Sequence, residues 1–256
     1  MLLAEPGCNF VQDDGVVHAR RSASNSLFNA RPILLFSYAS VIYRDFPELV
    51  TRVLRVEAIT SGIRAEEPVA QFLSVAKQRL ARSTEGELPE IQAWRRAFAK
   101  MGLKPTQYRC APEALLLRLR KEGDLPSVHP LVDLCNAVSA AFAIPIAAID
   151  LERIAGNLRV RPATGTETYE TFAGDIEHPE AGEVIFADDS HRAHARRWGN
   201  RQSGYSAVTA SSSRALVVVE AMHETAAADV AQLIVKLRTS VSELWPCASI
   251  TELPVR

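Results

Sequence analysis

The chain has 256 residues, 47% of them hydrophobic and 23% charged, with a formal net charge of −1. This is globular composition with ample apolar residues for a sizeable core, and it excludes a protein whose bulk charge alone draws it to nucleic acid; any RNA contact must come from a local basic patch. Cys8, Cys110, Cys135 and Cys247 form no C-x-x-C pair, which argues against a structural zinc site, a thioredoxin-like motif or a disulfide framework and fits a reduced, cytoplasmic protein.

No apolar run is long enough to span a bilayer, and the start, MLLAEPGCNF, lacks a basic n-region, so no membrane segment or signal peptide is expected. Residues 1–31 hold no helical or strand period and read as a mobile extension. The globular part is expected from about Pro32, where ILLFSYASVIY reads as a β-rich run. Glu66 to Arg82 reads as a helix with Pro68 in its first turn. A second helix follows Pro89 and stops at Gly102, with Ile91, Trp94, Phe98 and Met101 on its apolar side. Ala111 to Gly123 repeats that recipe, and Ser127 is placed to cap a further helix with Pro130 in its first turn. Beyond residue 143 short β-like runs dominate: Ile144 to Ile149, Leu158 to Val160, Glu183 to Ala187, Tyr205 to Thr209 and Ala215 to Glu220. An amphipathic helix from about Glu224 to Trp245 closes the chain. Helices, then strands, then a closing helix argue an α+β fold, with residues 32–256 as one domain.

Several residues stand out chemically. Asn136 is an amide beside the helical stripe Val128, Val132, Cys135, Val138 and Phe142, and it suits either a structural hydrogen bond or a ligand. In a strand, Leu216, Val218 and Glu220 share a face, so the Glu220 carboxylate risks burial and then needs a partner or a raised pKa. Asp150 ends an apolar run and is able to cap the next turn. His191, Arg192, His194, Arg196 and Arg197 make the clearest basic patch, either a solvated face or a phosphate contact. Arg201 follows Gly199 in the same loop and is suited to bidentate binding of a phosphate or carboxylate. The spacing of Asp188, Asp189, His191 and His194 fits no metal motif, and there is no G-x-S-x-G elbow, P-loop or Rossmann fingerprint. No metal and no cofactor is therefore expected.

The order of these segments resembles the editing (B3/B4) domain of the phenylalanyl-tRNA synthetase β subunit, and especially free-standing proteins built around that domain. Val132, Asp133 and Asn136 match its V-D-x-x-N pattern, and Pro145 to Asp150 match P-L-H-A-F-D, with Ala147 where the family has histidine. Arg161, Ala163 and Glu167 match R-x-A-x-x-G-E, with Thr166 in place of the glycine. Trp198, Asn200, Arg201 and Gln202 match R-W-N-W-R-x apart from Gly199. The likeness runs from about Trp94 to Met222. It implies a B3/B4-like domain that hydrolyses the ester of mischarged tRNA in trans. On that resemblance Asn136 orients the water or carbonyl and Glu220 reads the amino acid. Asp150, Trp198, Asn200 and Arg201 shape the substrate pocket, and Arg192, Arg196 and Arg197 hold RNA phosphates. The implied partner is the aminoacylated end of a tRNA bound by a monomer, with no DNA and no membrane. The residues by themselves leave two other readings open: a non-catalytic RNA-binding module, and a protein acting on a free amino-acid-like molecule.

Overall fold

The computed structural model describes residues 36–256, so the expected extension over residues 1–31 and the start at Pro32 lie outside the described residues. The architecture is α+β. A four-stranded antiparallel sheet has the order β11 (Ser249–Leu253), β2 (Val50–Glu57), β10 (Arg214–Ala221), β3 (Ile146–Asp150). A five-stranded sheet has the order β1 (Phe36–Tyr38), β4 (Leu158–Pro162), β7 (Val184–Asp188), β8 (Ala193–Arg196), β9 (Arg201–Gln202), antiparallel except for β1 beside β4. The short strands β5 (Tyr169–Glu170) and β6 (Ile176–Glu177) pair as a separate hairpin.

Each strand of the four-stranded sheet sends alternate residues into two cores. Val53, Leu216, Val218 and Ile149 join one core with Phe36, Leu158, Val160 and Phe186 of the second sheet. The helices α2 (Glu66–Leu80), α3 (Pro89–Lys100) and α4 (Ala111–Glu122) pack into that core through Leu73, Trp94, Phe98 and Leu116. Leu54, Val56, Val217, Val219 and Ala148 enter the other core, against α5 (Pro130–Phe142) and α6 (Ala226–Leu244). Because β10 is covered on both faces, its apolar residues run consecutively instead of alternating with polar ones.

The expected helices form, within a residue or two at their ends, and the expected strands form except for Tyr205 to Thr209. That segment is a loop touching β3 only through the bridge Ile149–Ala207. Its backbone is claimed locally: Ser203 Oγ accepts from Tyr205 N at 3.2 Å and Ser212 Oγ accepts from Thr209 N at 3.0 Å, bonds that compete with a ladder. The described part of the run after Pro32 is strand only over Phe36–Tyr38, since Ser40–Asp45 forms the short helix α1. The cap of α5 is His129, whose Nδ1 accepts from Leu131 N at 3.1 Å, while the hydroxyl of Ser127 donates to Asp133 at 2.6 Å. Val128 precedes the helix and is exposed; the buried stripe of α5 is Leu131, Leu134, Cys135 and Val138. Strands β2 and β11 give no clear signal in the sequence, because charged residues interrupt their apolar pattern, and β8 is only the four buried residues AHAR, half of them polar.

Candidate functional site: a buried carboxylate between the two sheets

Glu220 is the penultimate residue of β10, opposite Thr51 of β2. Its side chain enters the core between the sheets and is 4% exposed. One oxygen, Oε1, accepts both hydrogen bonds: from Tyr38 Oη at 2.5 Å and from Trp198 Nε1 at 2.8 Å. Tyr38 Oη also shares a 2.9 Å hydrogen bond with Thr51 Oγ1. Among the described residues nothing donates to Oε2. Burial pushes the Glu220 carboxyl up to about 7, while the bonds from Trp198 and Tyr38 pull the other way. Burial, helped by the neighbouring Glu220 charge, also holds the Tyr38 phenol well above its ordinary range. Tyr43 packs on Tyr38 with ring centroids 5.3 Å apart and is 40% exposed, so the carboxylate lies one aromatic layer below the surface.

Trp198 is aimed at Glu220 by an unusual turn. Arg197, Trp198 and Gly199 take φ values of +47°, +48° and +80° in succession. Only glycine adopts this left-handed region freely, so the two bulky residues there are strained. The turn buries the indole edge-on against Phe46 (4.9 Å) and Trp94 (5.5 Å), which fixes the direction of its N–H. Ala147 pairs across the sheet with Val218, so it shares the face that Glu220 occupies, and it is partly exposed.

Asn136 is elsewhere. It lines a cavity of about 340 Å³ between α2, α5 and the loop of residues 124–127, with Glu66, Leu73, Ser127 and Asp133 among its walls. Its amide has no hydrogen-bond partner among the described residues. None of Tyr38, Thr51, Trp198 and Glu220 lines that cavity. Asn136 and Glu220 therefore do not line this cavity together.

Two expected substrate contacts are also internal. Asp150 Oδ1 caps the turn after β3 by accepting from Glu152 N at 2.9 Å, and Oδ2 accepts from Ser212 Oγ at 2.6 Å. Trp198 belongs to the core and holds Glu220. Asn200 and Arg201 do reach a surface. They line an open groove of about 540 Å³ with Tyr169, Phe172 and Glu177, although Asn200 also donates to Arg109 O at 2.7 Å.

The basic segment is divided. Arg196 is 5% exposed, with its guanidinium on Glu183 (2.7 Å) and Glu177 (2.5 Å), and it does not belong to an exposed basic face. Arg197 stacks over Tyr108 at 4.9 Å, and Arg192 over Tyr205 at 3.9 Å. His194 is fully buried with Nε2 3.2 Å from Asp188, and among the described residues no group of three His, Cys, Asp or Glu side chains stands close enough to hold a metal ion. Burial pushes the Cys110 and Cys135 thiols up to about 12, so neither is a ready nucleophile. Tyr38, on β1, is a site residue that the sequence does not single out. The signal for it is indirect: a strand glutamate facing a core demands a donor from another element.

The B3/4 domain family matches residues 93–245, more than half of the chain and the stretch that contributes Trp94, Asn136, Ala147, Trp198 and Glu220. The chain belongs to the B3/4 domain family. Among curated proteins this B3/4 chain is similar to two phenylalanine–tRNA ligase β subunits. The protein from Fusobacterium nucleatum is 31% identical over 87 residues, 34% of this chain and 11% of that one. The protein from Shewanella oneidensis is 32% identical over 93 residues, 36% of this chain and 12% of that one. The matched part is thus about a tenth of the length of these relatives. Among solved structures, an N-terminal fragment of the phenylalanyl-tRNA synthetase β subunit from Pyrococcus horikoshii aligns over 87% of this chain and 52% of that one, with a TM-score of 0.48 and 8% identity. No helix among the described residues is long and apolar enough to cross a membrane.

Proposed function

We propose that this B3/4 chain is a trans-acting deacylase that hydrolyses the ester of mischarged aminoacyl-tRNA. The observation that supports the reading most is Glu220, a strand carboxylate with one oxygen uncommitted and a pKa of about 7. A group titrating there is partly ionised at neutral pH and is matched to general-base work. In the proposed step Glu220 accepts a proton from a water whose oxygen bonds to the ester carbonyl carbon. The bond from that carbon to the ribose oxygen breaks, and the ribose oxygen takes up a proton. An aminoacyl ester is already reactive, so placement and one base suffice without a nucleophilic side chain. Tyr38 and Trp198 act as positioning residues, since both donate to the oxygen that is not used. Ala147, where the resembling family has histidine, lies on the same sheet face as Glu220. Asn200 and Arg201 border the open groove and are proposed to meet the substrate outside the core. Asn136 takes no part in the step on this reading.

The test is ester loss from a panel of correctly and wrongly charged tRNAs incubated with the purified chain, with Glu220→Gln and Asn136→Ala beside it. Cleavage of a mischarged species is expected, slowed about a hundredfold in Glu220→Gln, the order that loss of a general base costs. Asn136→Ala is expected to retain the rate; its inactivity in a folded variant would move the site to the α2–α5 cavity. A second reading, a module that binds tRNA without cleaving it, is favoured by the 4% exposure of Glu220. Salt-sensitive tRNA binding with no cleavage across the panel would select it.

A further inference from the structure

Two arginines that the hydrolytic step does not use meet at the seam of the two sheets. Arg192 ends the tight turn joining β7 to β8, and Arg153 ends the turn that follows β3. Both guanidiniums lie over the Tyr205 ring, Arg192 at 3.9 Å and Arg153 at 5.4 Å from its centroid. Neither pairs with a carboxylate among the described residues. The acids beside them in sequence are engaged elsewhere. Asp188 accepts from His194 and from the N–H groups of Ala155, Ser190 and Arg192. Asp189 accepts from Asn157, and Glu152 pairs with Arg214 at 2.8 Å. Stacking orders a guanidinium while leaving its N–H edge free, the state in which arginine binds a phosphate in bidentate fashion.

The loop that carries Tyr205 is also tied to the β5–β6 hairpin. Gly204 N and Ser203 Oγ both donate to Glu170 O, at 3.0 and 2.8 Å. A β-carbon on Gly204 would lie 2.6 Å from Thr171 O and 3.0 Å from Phe172 Cα, so the two backbones touch. Phe172 is the most exposed large hydrophobic residue described, at 74%, and no packing explains it. Phe172 lines the open groove with Asn200 and Arg201, and its backbone abuts the loop that carries Tyr205 and its two stacked arginines. Cations for the backbone and a ring face for a base are the groups that bind single-stranded nucleic acid.

We propose that Arg153 and Arg192, seated on Tyr205, bind backbone phosphates of a single-stranded RNA segment, with Phe172 stacking on one of its bases. The inference rests on the reading of tRNA as partner and names the residues that engage it. It assigns the electrostatic contact to Arg153 and Arg192 rather than to the buried Arg196.

The test measures binding of an uncharged tRNA transcript to the full chain at several salt concentrations. Removing one phosphate-binding cation lowers the slope of log affinity against log salt by about 0.7–0.9, so Arg153→Gln with Arg192→Gln should lower it by roughly 1.5. Arg118→Gln, on an exposed face of α4, should leave the slope unchanged. Tyr205→Phe keeps the ring and should bind as wild type does. Phe172→Ala should weaken binding roughly tenfold with the slope unchanged, since stacking releases no ions. An equal slope in the double variant and in Arg118→Gln would overturn the proposal while leaving the deacylase reading to the ester assay. Binding of inorganic phosphate that is lost in the double variant, in a protein that binds no tRNA, would assign the pair to a free anion and equally overturn it. A lowered slope in a protein that cleaves no ester would support this site and remove the deacylase.

Discussion

Replacing Glu220 by glutamine should change the pH dependence of stability more than its mean. In the folded chain burial raises this carboxyl from 4.5 to about 7. The folded state therefore holds the proton more tightly than the unfolded one, and stability contributed by protonated Glu220 is full below pH 4.5. It declines as pH rises from there through 7, and above that range both states are ionised and no further change follows. At ~1.4 kcal/mol per pH unit, the interval amounts to about 3 kcal/mol. Glutamine keeps an oxygen to accept from Tyr38 and Trp198 but cannot ionise. Urea denaturation of wild type and Glu220→Gln at half-unit steps from about pH 4.5 to 8 isolates the effect, because the other titrating groups are common to both. The wild-type stability should fall relative to the variant by about 3 kcal/mol across the interval, most of it before pH 7. Parallel stability curves would refute the argument that burial of this carboxylate controls its ionisation.

Trp198→Phe removes the 2.8 Å N–H bond to Glu220 while keeping an aromatic in the core, and should cost about 2 kcal/mol at pH 8 and less at pH 5, where the acid is neutral; paired urea melts at the two pH values measure it. Arg196→Met leaves Glu183 buried without its guanidinium and should destabilise by roughly 3–5 kcal/mol, seen as a lowered urea midpoint at pH 7. Gly204→Ala drives a methyl group to 2.6 Å from Thr171 O and should cost about 1–3 kcal/mol, with faster backbone hydrogen exchange in the β5–β6 hairpin as the local readout.

Local chemistry makes much of the chain legible in one dimension. Pro89, Pro112 and Pro130 start helices because proline loses nothing in a first turn, and Gly102 and Gly123 take φ of +78° where helices end. Asp150 caps the turn that follows it, and Glu220 points inward, because a two-residue period puts it on the face of Leu216 and Val218. Covered strands are harder to see. β2 carries Arg52 and Arg55 among its apolar residues, and β11 is short and polar; pairing with β10 and with each other, rather than propensity, makes them strands. Tyr205 to Thr209 has a strand's composition, but serine hydroxyls take its backbone groups first.

The sequence by itself determined the family pattern, the positions of the helices and the risk that one carboxylate would be buried, since periodicity, caps and motif spacing act between near neighbours. Only the tertiary structure decided which groups meet. Tyr38 and Glu220 are 182 positions apart, and their bond exists because β1 and β10 face each other across one core. The same packing parted Asn136 from Glu220, sent Arg196 inward onto Glu177 and Glu183, and brought Arg153 and Arg192 to one tyrosine ring. Burial and charge pairing are properties of a closed three-dimensional surface, so no spacing along the chain encodes them.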